Sequence, residues 1–302
     1  MPDAEPAPRA PRFRVPAGKS ERFKRLARVP AVAAPTLAAL ALAAVGLPAV
    51  AVALSAGALP GWAASACCTA LMYGLFTVVH DALHGSFARD RRLNDALGTA
   101  GLLLFTPHAS LGFFRWAHMQ HHRHTNGAGD PDRWAHEGGL TLPLRWATID
   151  LAYAAHALRR GDDAGRRHLL GVLPHLAATL AAVALLAWAG HLREVALLWF
   201  IPSRLTFVLA GALFFWLPHV GAEATADEDV LRSTTIRLGH EWLLGPLLQF
   251  QNYHLIHHLF PALPSRRHAD VYRLLEGDLH ARPLLIQRGF ALRPLAHKAV
   301  ST

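Results

Sequence analysis

Histidines at helical spacing are the first feature of this sequence that could do chemistry. His80 and His84 stand four apart in His80-Asp81-Ala82-Leu83-His84, so a helix there projects both imidazoles from one face. His118-Met119-Gln120-His121-His122 and His254-Leu255-Ile256-His257-His258 each pair a first histidine with positions three and four residues on, offering up to three imidazoles per turn. His219, after Leu217-Pro218, is a fourth element. Imidazole is the commonest transition-metal ligand, and nine of them are too many for one ion of about four to six ligands but suit two. An all-nitrogen, neutral set fits Fe, Zn, Cu or Ni, whereas Mg or Ca requires oxygens that the clusters lack. No His-Glu-x-x-His string of a zinc peptidase occurs, nor the Glu-x-x-His of soluble carboxylate di-iron bundles. The two cysteines, Cys67 and Cys68, are neighbours in an apolar segment and give no disulfide framework, zinc knuckle or iron–sulfur site. The chain holds 20 histidines, and those outside the clusters, His136 and His268 among them, read as surface or packing residues.

The elements that must position these residues lie in a bilayer. With 52% hydrophobic and 17% charged residues, the 302-residue chain is unlike an ordinary soluble domain. Its hydropathy predicts an all-α integral membrane protein with four spans in two hairpins, about 32–55 with 62–80 and 169–189 with 195–217. Residues 30–275 form the membrane domain. Residues 1–29 read as a disordered basic arm ending in a short helix at the membrane surface, and 276–302 as a C-terminal tail. The apolar patches Leu97–Phe105 and Leu140–Leu158 are too short or interrupted to span and suit interfacial or re-entrant helices. Basic residues gather in the arm, the segment 80–168 and the part after His219, while the turn between the last two spans has one, Arg193. The positive-inside rule then places both termini and all the histidine clusters in the cytoplasm, on a helical cap. That distribution accounts for the net charge of +9 without a nucleic-acid partner.

In this order and topology, the three histidine boxes resemble the membrane fatty acid desaturase superfamily, whose members oxidise C–H bonds with O2 at a histidine-bound, non-haem di-iron centre. The resemblance covers about residues 70–275. The strings Arg115-Trp116-Ala117-His118-Met119-Gln120-His121-His122, Asn126, Asp130-Pro131-Asp132, Leu217-Pro218-His219 and Gln251-Asn252-Tyr253-His254-Leu255-Ile256-His257-His258-Leu259-Phe260-Pro261 are most similar to the desaturase-like carotenoid β-ring hydroxylases. The chain keeps His254, where acyl desaturases with a fused cytochrome often carry Gln. It has Phe215 where acyl-CoA desaturases have an Asn four residues before their extra histidine. The resemblance implies two non-haem Fe held by His80, His84, His118, His121, His122, His219, His254, His257 and His258. Asp81, Asp130, Asp132 and Asn252 are placed to accept from the free N–H of these ligands.

The activity so implied is O2-dependent oxidation of a membrane lipid, leaning to hydroxylation of a carotenoid-like ring. An acyl-lipid desaturase making a C=C bond is the alternative, and a non-catalytic haem- or metal-binding membrane protein is the reading from another class. Both oxidations need two electrons from outside. The sequence has no GxGxxG, iron–sulfur cysteines or fused haem domain, so a ferredoxin or cytochrome partner is implied at the Arg-rich face. Trp116, Trp134, Trp146, Trp199, Trp216 and Trp242 are candidate tunnel residues, or interfacial anchors. Arg204 within the last span is a functional candidate, or a residue that snorkels or caps a helix broken at Pro202.

Overall fold

A computed structural model describes residues 13–297. It is 68% helix and 5% strand, and four of its helical runs are long and apolar enough to cross a bilayer: Ala34–Ser55, Gly61–Leu83, Asp163–Trp188 and Leu192–Trp216. These match the four expected spans. Helices α2 (Ala34–Ser55) and α3 (Gly61–Leu83) each start at proline, Pro35 inside the first turn of one and Pro60 as the cap of the other. At those positions a missing N–H costs nothing. The third run comprises α9 (Asp163–Leu170) and α10 (Leu173–Trp188), and α10 has no buried residue, with Leu180, Leu185 and Trp188 all outward. A helix that is apolar all round and covered by no protein is stable only against lipid. The fourth run joins α11 (Leu192–Val195), a π-helical stretch Ala196–Phe200, α12 (Ile201–Ala210) and a second π-helical stretch, Gly211–Trp216.

Between the hairpins the chain dips back against the spans. Helix α4 (Arg91–Phe105) is capped by Asp90, whose carboxylate accepts from the Leu93 N–H at 2.8 Å. Its Gly98 and Gly101 lie against α3 so closely that a Cβ would stand 2.3 Å from Ala82 Cβ and 2.6 Å from Val78 Cγ1. Helix α5 (Leu111–His124), capped by Ser110, carries the second histidine box. A short α6 (Arg133–His136) leads to α7 (Leu142–Ala147) and α8 (Ile149–Arg160). The two apolar patches expected to be interfacial or re-entrant are therefore helices of about four turns or fewer: Leu102, Phe105, Ile149 and Tyr153 join the core beside the spans, while Leu140, Leu144, Leu151 and Leu158 stay exposed.

Beyond the fourth span lies a cap of α13 (Ala226–Asp229), α14 (Glu241–Leu247), α15 (His254–Leu259) and α16 (His268–His280). It also holds a small sheet of order β1-β2-β3, with β1 (Ile236–Leu238) parallel to β2 (Leu284–Arg288) and β2 antiparallel to β3 (Leu295–His297). Ile236 pairs with Ile286, and both are buried in a cluster with Leu255, Ile256, Val271, Leu275 and Leu279. These strands were not foreseen, and two lie in the stretch read as a tail. Part of the stretch read as a disordered arm packs on the same cluster: Phe13 is 8% exposed, and Phe23 in α1 (Ser20–Leu26) meets Phe260 with ring centroids 4.6 Å apart. α1 is the short basic helix expected there, while residues 1–12 lie outside the described residues.

Arg204, in the fourth span, is held by an ion pair and does not snorkel. Its Nη1 and Nη2 donate to Asp150 Oδ1 at 3.1 Å and Oδ2 at 3.0 Å, and Nη1 also donates to the Ala147 carbonyl. Asp150 further meets His108 Nε2 at 2.9 Å. Removing one partner of such a pair leaves a charge with no water to reach, so Asp150→Ala should cost about 3–5 kcal/mol. The double change Asp150→Leu with Arg204→Met should recover most of that loss, read as the thermal midpoint in detergent. A double variant as unstable as the single would show that packing rather than charge carries the contact.

Candidate metal centre

The three boxes converge because each sits on a helix end that points at one spot. His80 is in the last turn of α3 and His84 caps it, His118, His121 and His122 end α5, His219 follows the second π-helical stretch, and α15 carries His254, His257 and His258. Ring nitrogens of His80, His84, His118 and His257 lie within 4.8 Å of one another, and so do those of His121, His219, His254 and His258. His122 stands between the groups, its ring centroid 4.5 Å from both His257 and His258 and its Nε2 3.2 Å from that of His118. All nine histidines expected to act as ligands are thus brought together.

Their orientation tests whether metal fits. Nε2 atoms face Nε2 atoms: His80 and His257 at 3.2 Å, His84 and His118 at 2.8 Å, His121 and His258 at 3.3 Å, His219 and His254 at 3.1 Å. On the outer side, His121 Nδ1 meets Asp130 at 2.9 Å, His219 Nδ1 the Ser233 carbonyl at 3.2 Å, and His254 Nδ1 the Gln251 side-chain oxygen at 3.0 Å. With the proton on Nδ1, each of these Nε2 atoms presents a lone pair inward. Ring nitrogens gathered into two groups of four, each set facing inward at 2.8–3.3 Å, fit a metal centre of two positions. Burial first, and the neighbouring imidazoles second, push His84, His118, His122, His219, His254, His257 and His258 well below the ordinary histidine pKa. They are held neutral, the form that binds metal.

His121 differs. Burial lowers its pKa, but the Asp130 and Asp132 carboxylates outweigh burial and raise it to about 9. Asp130 also accepts the Asn126 and Asp132 N–H groups, at 2.8 Å each, which closes the Asn126–Asp132 turn around His121. Asn126, at φ 62°, uses its side-chain amide to reach the carbonyls of Ala222, Ala224 and Ser233. Asp132 is raised to about 7 by burial and accepts from Tyr153 at 2.5 Å. Asp81 meets no imidazole in this structure: it accepts from Ser265 at 2.6 Å and Thr36 at 3.0 Å, fastening α3 to α2 and to the cap. Asn252 is buried beside the third box, its side-chain oxygen without a partner among the described residues.

Two further imidazoles belong to this neighbourhood and escaped the sequence reading. His136 stacks on His219 with ring centroids 4.9 Å apart, and His268 lies 5.6 Å from His257. The Nε2 of each is buried without a hydrogen-bond partner among the described residues. Neither has a second histidine at helical spacing, so nothing in the sequence distinguishes them from surface histidines. His124, two residues past the second box, is not part of either group. Against the centre lies an apolar pocket whose lining includes His80, His118, His121 and His254 together with Phe76, Phe105, Phe207, Phe214, Phe215 and Tyr153.

A fold of four spans with three histidine boxes converging at one membrane face defines the class. The chain matches the fatty acid desaturase family model over residues 56–289, and it belongs to that family. Within it, the chain is 33% identical over 203 residues to the beta-carotene ketolase of Paracoccus sp. (strain N81106 / MBIC 01143), covering 65% of this chain and 72% of that protein. The beta-carotene ketolase of Paracoccus sp. (strain PC1) is 32% identical over the same shares. The zeaxanthin 4-ketolase of Chlamydomonas reinhardtii is 38% identical over 85 residues, 28% of this chain and 18% of that protein. The family and these relatives make the chain a membrane oxidoreductase of the fatty acid desaturase family.

The lowered imidazoles set a sign for acid stability of the metal-free protein. A histidine whose folded pKa lies below its unfolded value of about 6.5 contributes stability above that pH, and this is lost as pH falls towards the folded pKa. His121 and Asp132, both raised, act in the opposite sense, but they are two against seven. The thermal midpoint of metal-free protein in detergent should therefore fall between pH 7.5 and pH 5.5. A midpoint that rises over this interval would show that the imidazoles are not held neutral.

Proposed function

We propose that this protein is an O2-dependent oxygenase of a carotenoid ring that converts a ring methylene to a ketone. The observation that carries the reading is the pocket in which four of the nine imidazoles and a wall of phenylalanines share one surface. Apart from the imidazole nitrogens, its polar side chains are Asp132 and Tyr153, which bond to each other, so the surface suits a hydrocarbon whose C–H bond must be attacked without activation.

Two irons, held by His80, His84, His118 and His257 and by His121, His219, His254 and His258 with His122 between them, would supply O2 reduction and hydrogen abstraction at the exposed edge of the centre. The balance for each round is one O2, two electrons and two protons, giving an alcohol and water. A second round at the same carbon gives a geminal diol that loses water to the ketone. The phenylalanines position the ring carbon and exclude water. Asp130, Gln251 and the Ser233 carbonyl hold the imidazoles in one tautomer while substrate comes and goes. The sequence leans to a ring alcohol; the ketolase relatives favour the ketone, and the two outcomes share the first round. The electrons come from a separate ferredoxin or cytochrome docked on the basic face, and the charge asymmetry of the loops sets that face, with both ends of the chain, in the cytoplasm.

Expression in a β-carotene-producing bacterium, with pigments resolved by liquid chromatography and mass spectrometry, tests the reading. The expected product gains one oxygen and loses two hydrogens per modified ring. Unchanged pigments with new double bonds in the acyl lipids would establish the desaturase reading instead. His257→Ala should lose activity and part of its iron while still inserting in the membrane. Full activity in that variant would refute its role as a ligand.

A further inference from the structure

The chain supports its two groups of four imidazoles unequally. Around His121, His219, His254 and His258, every outer nitrogen has a partner. Asp130, the Ser233 carbonyl and Gln251 serve the first three, and Thr125 Oγ1 lies 3.4 Å from His258 Nδ1. Two carboxylates adjoin this group, Asp130 at 2.9 Å and Asp132 at 3.4 Å from His121 Nδ1. Around His80, His84, His118 and His257 the support is thinner. The Nδ1 atoms of His80 and His257 are buried without a partner among the described residues. Asp81, the acid inside the first box, is turned to Ser265 and Thr36. At this group's edge Arg115 donates to the carbonyls of Ala82, at 2.8 Å, and Leu83, at 3.0 Å, beside His84, and its charge is paired with Asp95 at 2.5 Å.

Outer hydrogen bonds fix ring orientation and raise ligand basicity, and the loss of one typically weakens metal binding by about 10–100-fold. Adjacent carboxylates add Coulombic attraction for a divalent ion. Both differences have the same sign. We propose that the His121/His219/His254/His258 group is the high-affinity metal position and fills first, and that the His80/His84/His118/His257 group is a weaker position that fills second. The inference rests on the two-metal reading of the centre and adds an order of loading to it.

The test is an anaerobic titration of metal-free, full-length protein in detergent with Co2+, whose visible absorption reports coordination. Elemental analysis after dialysis follows, and the titration is repeated with Fe2+. Two steps of one equivalent are expected, separated by at least about tenfold in Kd, with dialysis removing the second equivalent first. Gln251→Met removes the acceptor for His254 and should weaken the first step by about 10–100-fold without moving the second. His84→Ala should retain one tight equivalent, and His254→Ala should lose it. Thr125→Val is a milder change at the same position should His254→Ala fail to insert, and it too should weaken only the first step. Two equivalents bound in one step of equal affinity would overturn the proposal, as would a tight equivalent lost in His84→Ala and kept in His254→Ala. No Co2+ or Fe2+ bound at all would instead overturn the metal centre itself, and this inference with it.

Discussion

Nine imidazoles whose ring nitrogens crowd together inside the protein are the constraint from which the rest of this structure follows. The arrangement is desolvated, and nothing in the local helix geometry of α3, α5 or α15 would hold it together. The chain answers from outside. Asp130 and Gln251 bind the outer nitrogens of His121 and His254, and the Ser233 carbonyl binds that of His219. The sheet in turn fixes Ser233. Thr235 bonds to Gln287 of β2 at 3.0 Å, and Gln287 donates to the Leu217 carbonyl at 2.9 Å, two residues before His219. A three-stranded sheet in a helical membrane protein is therefore part of the support of one histidine.

The membrane enters the same argument. Four apolar helices supply a surface that a lipid-soluble substrate can reach without crossing water, and the glycines of α4 let that helix press its backbone against α3. This contact places Leu102 and Phe105 on one side of the pocket and His80 on another. A side chain at Gly98 would push apart the two helices on which the first box and the pocket wall both depend, an overpacking typically worth about 1–3 kcal/mol. Asp150, paired with Arg204, fastens α8 to the fourth span at the opposite wall. The pocket is thus closed by elements that were read from sequence as interfacial patches.

The legible part of the sequence was that whose chemistry repeats at a helical period. The i, i+3 and i+4 histidines, the four spans and the Asp130-Pro131-Asp132 turn each carry their geometry locally. The rest depends on pairs far apart in the chain. His268 comes close to His257 only because α16 packs on α15, and His136 reaches His219 only through the fold of the loop after α5. Strands β1 and β2 are separated by 45 residues and are too short for alternation to be seen. Asp81 looked placed for an imidazole because it stands inside the first box. On a helix, the residue next to a ligand points about 100° away, and here that direction leads to Ser265 and Thr36.

The pocket wall, more than the boxes, is where members of this family can differ in product. The second π-helical stretch, Gly211–Trp216, ends three residues before His219 and carries Phe214 and Phe215. An extra residue in a helical turn shifts the phase of everything after it, so a π turn here can send phenylalanines to the pocket and still deliver His219 to the metal. Phe214 stacks on Phe76 of α3 with centroids 3.8 Å apart, one turn before His80. The aromatic wall and the ligands are therefore packed as one body, and a substitution at Phe214 or Phe215 reshapes the pocket beside His80 without touching a nitrogen. On the proposed function, that wall would set which C–H bond is presented and whether the same carbon is presented twice.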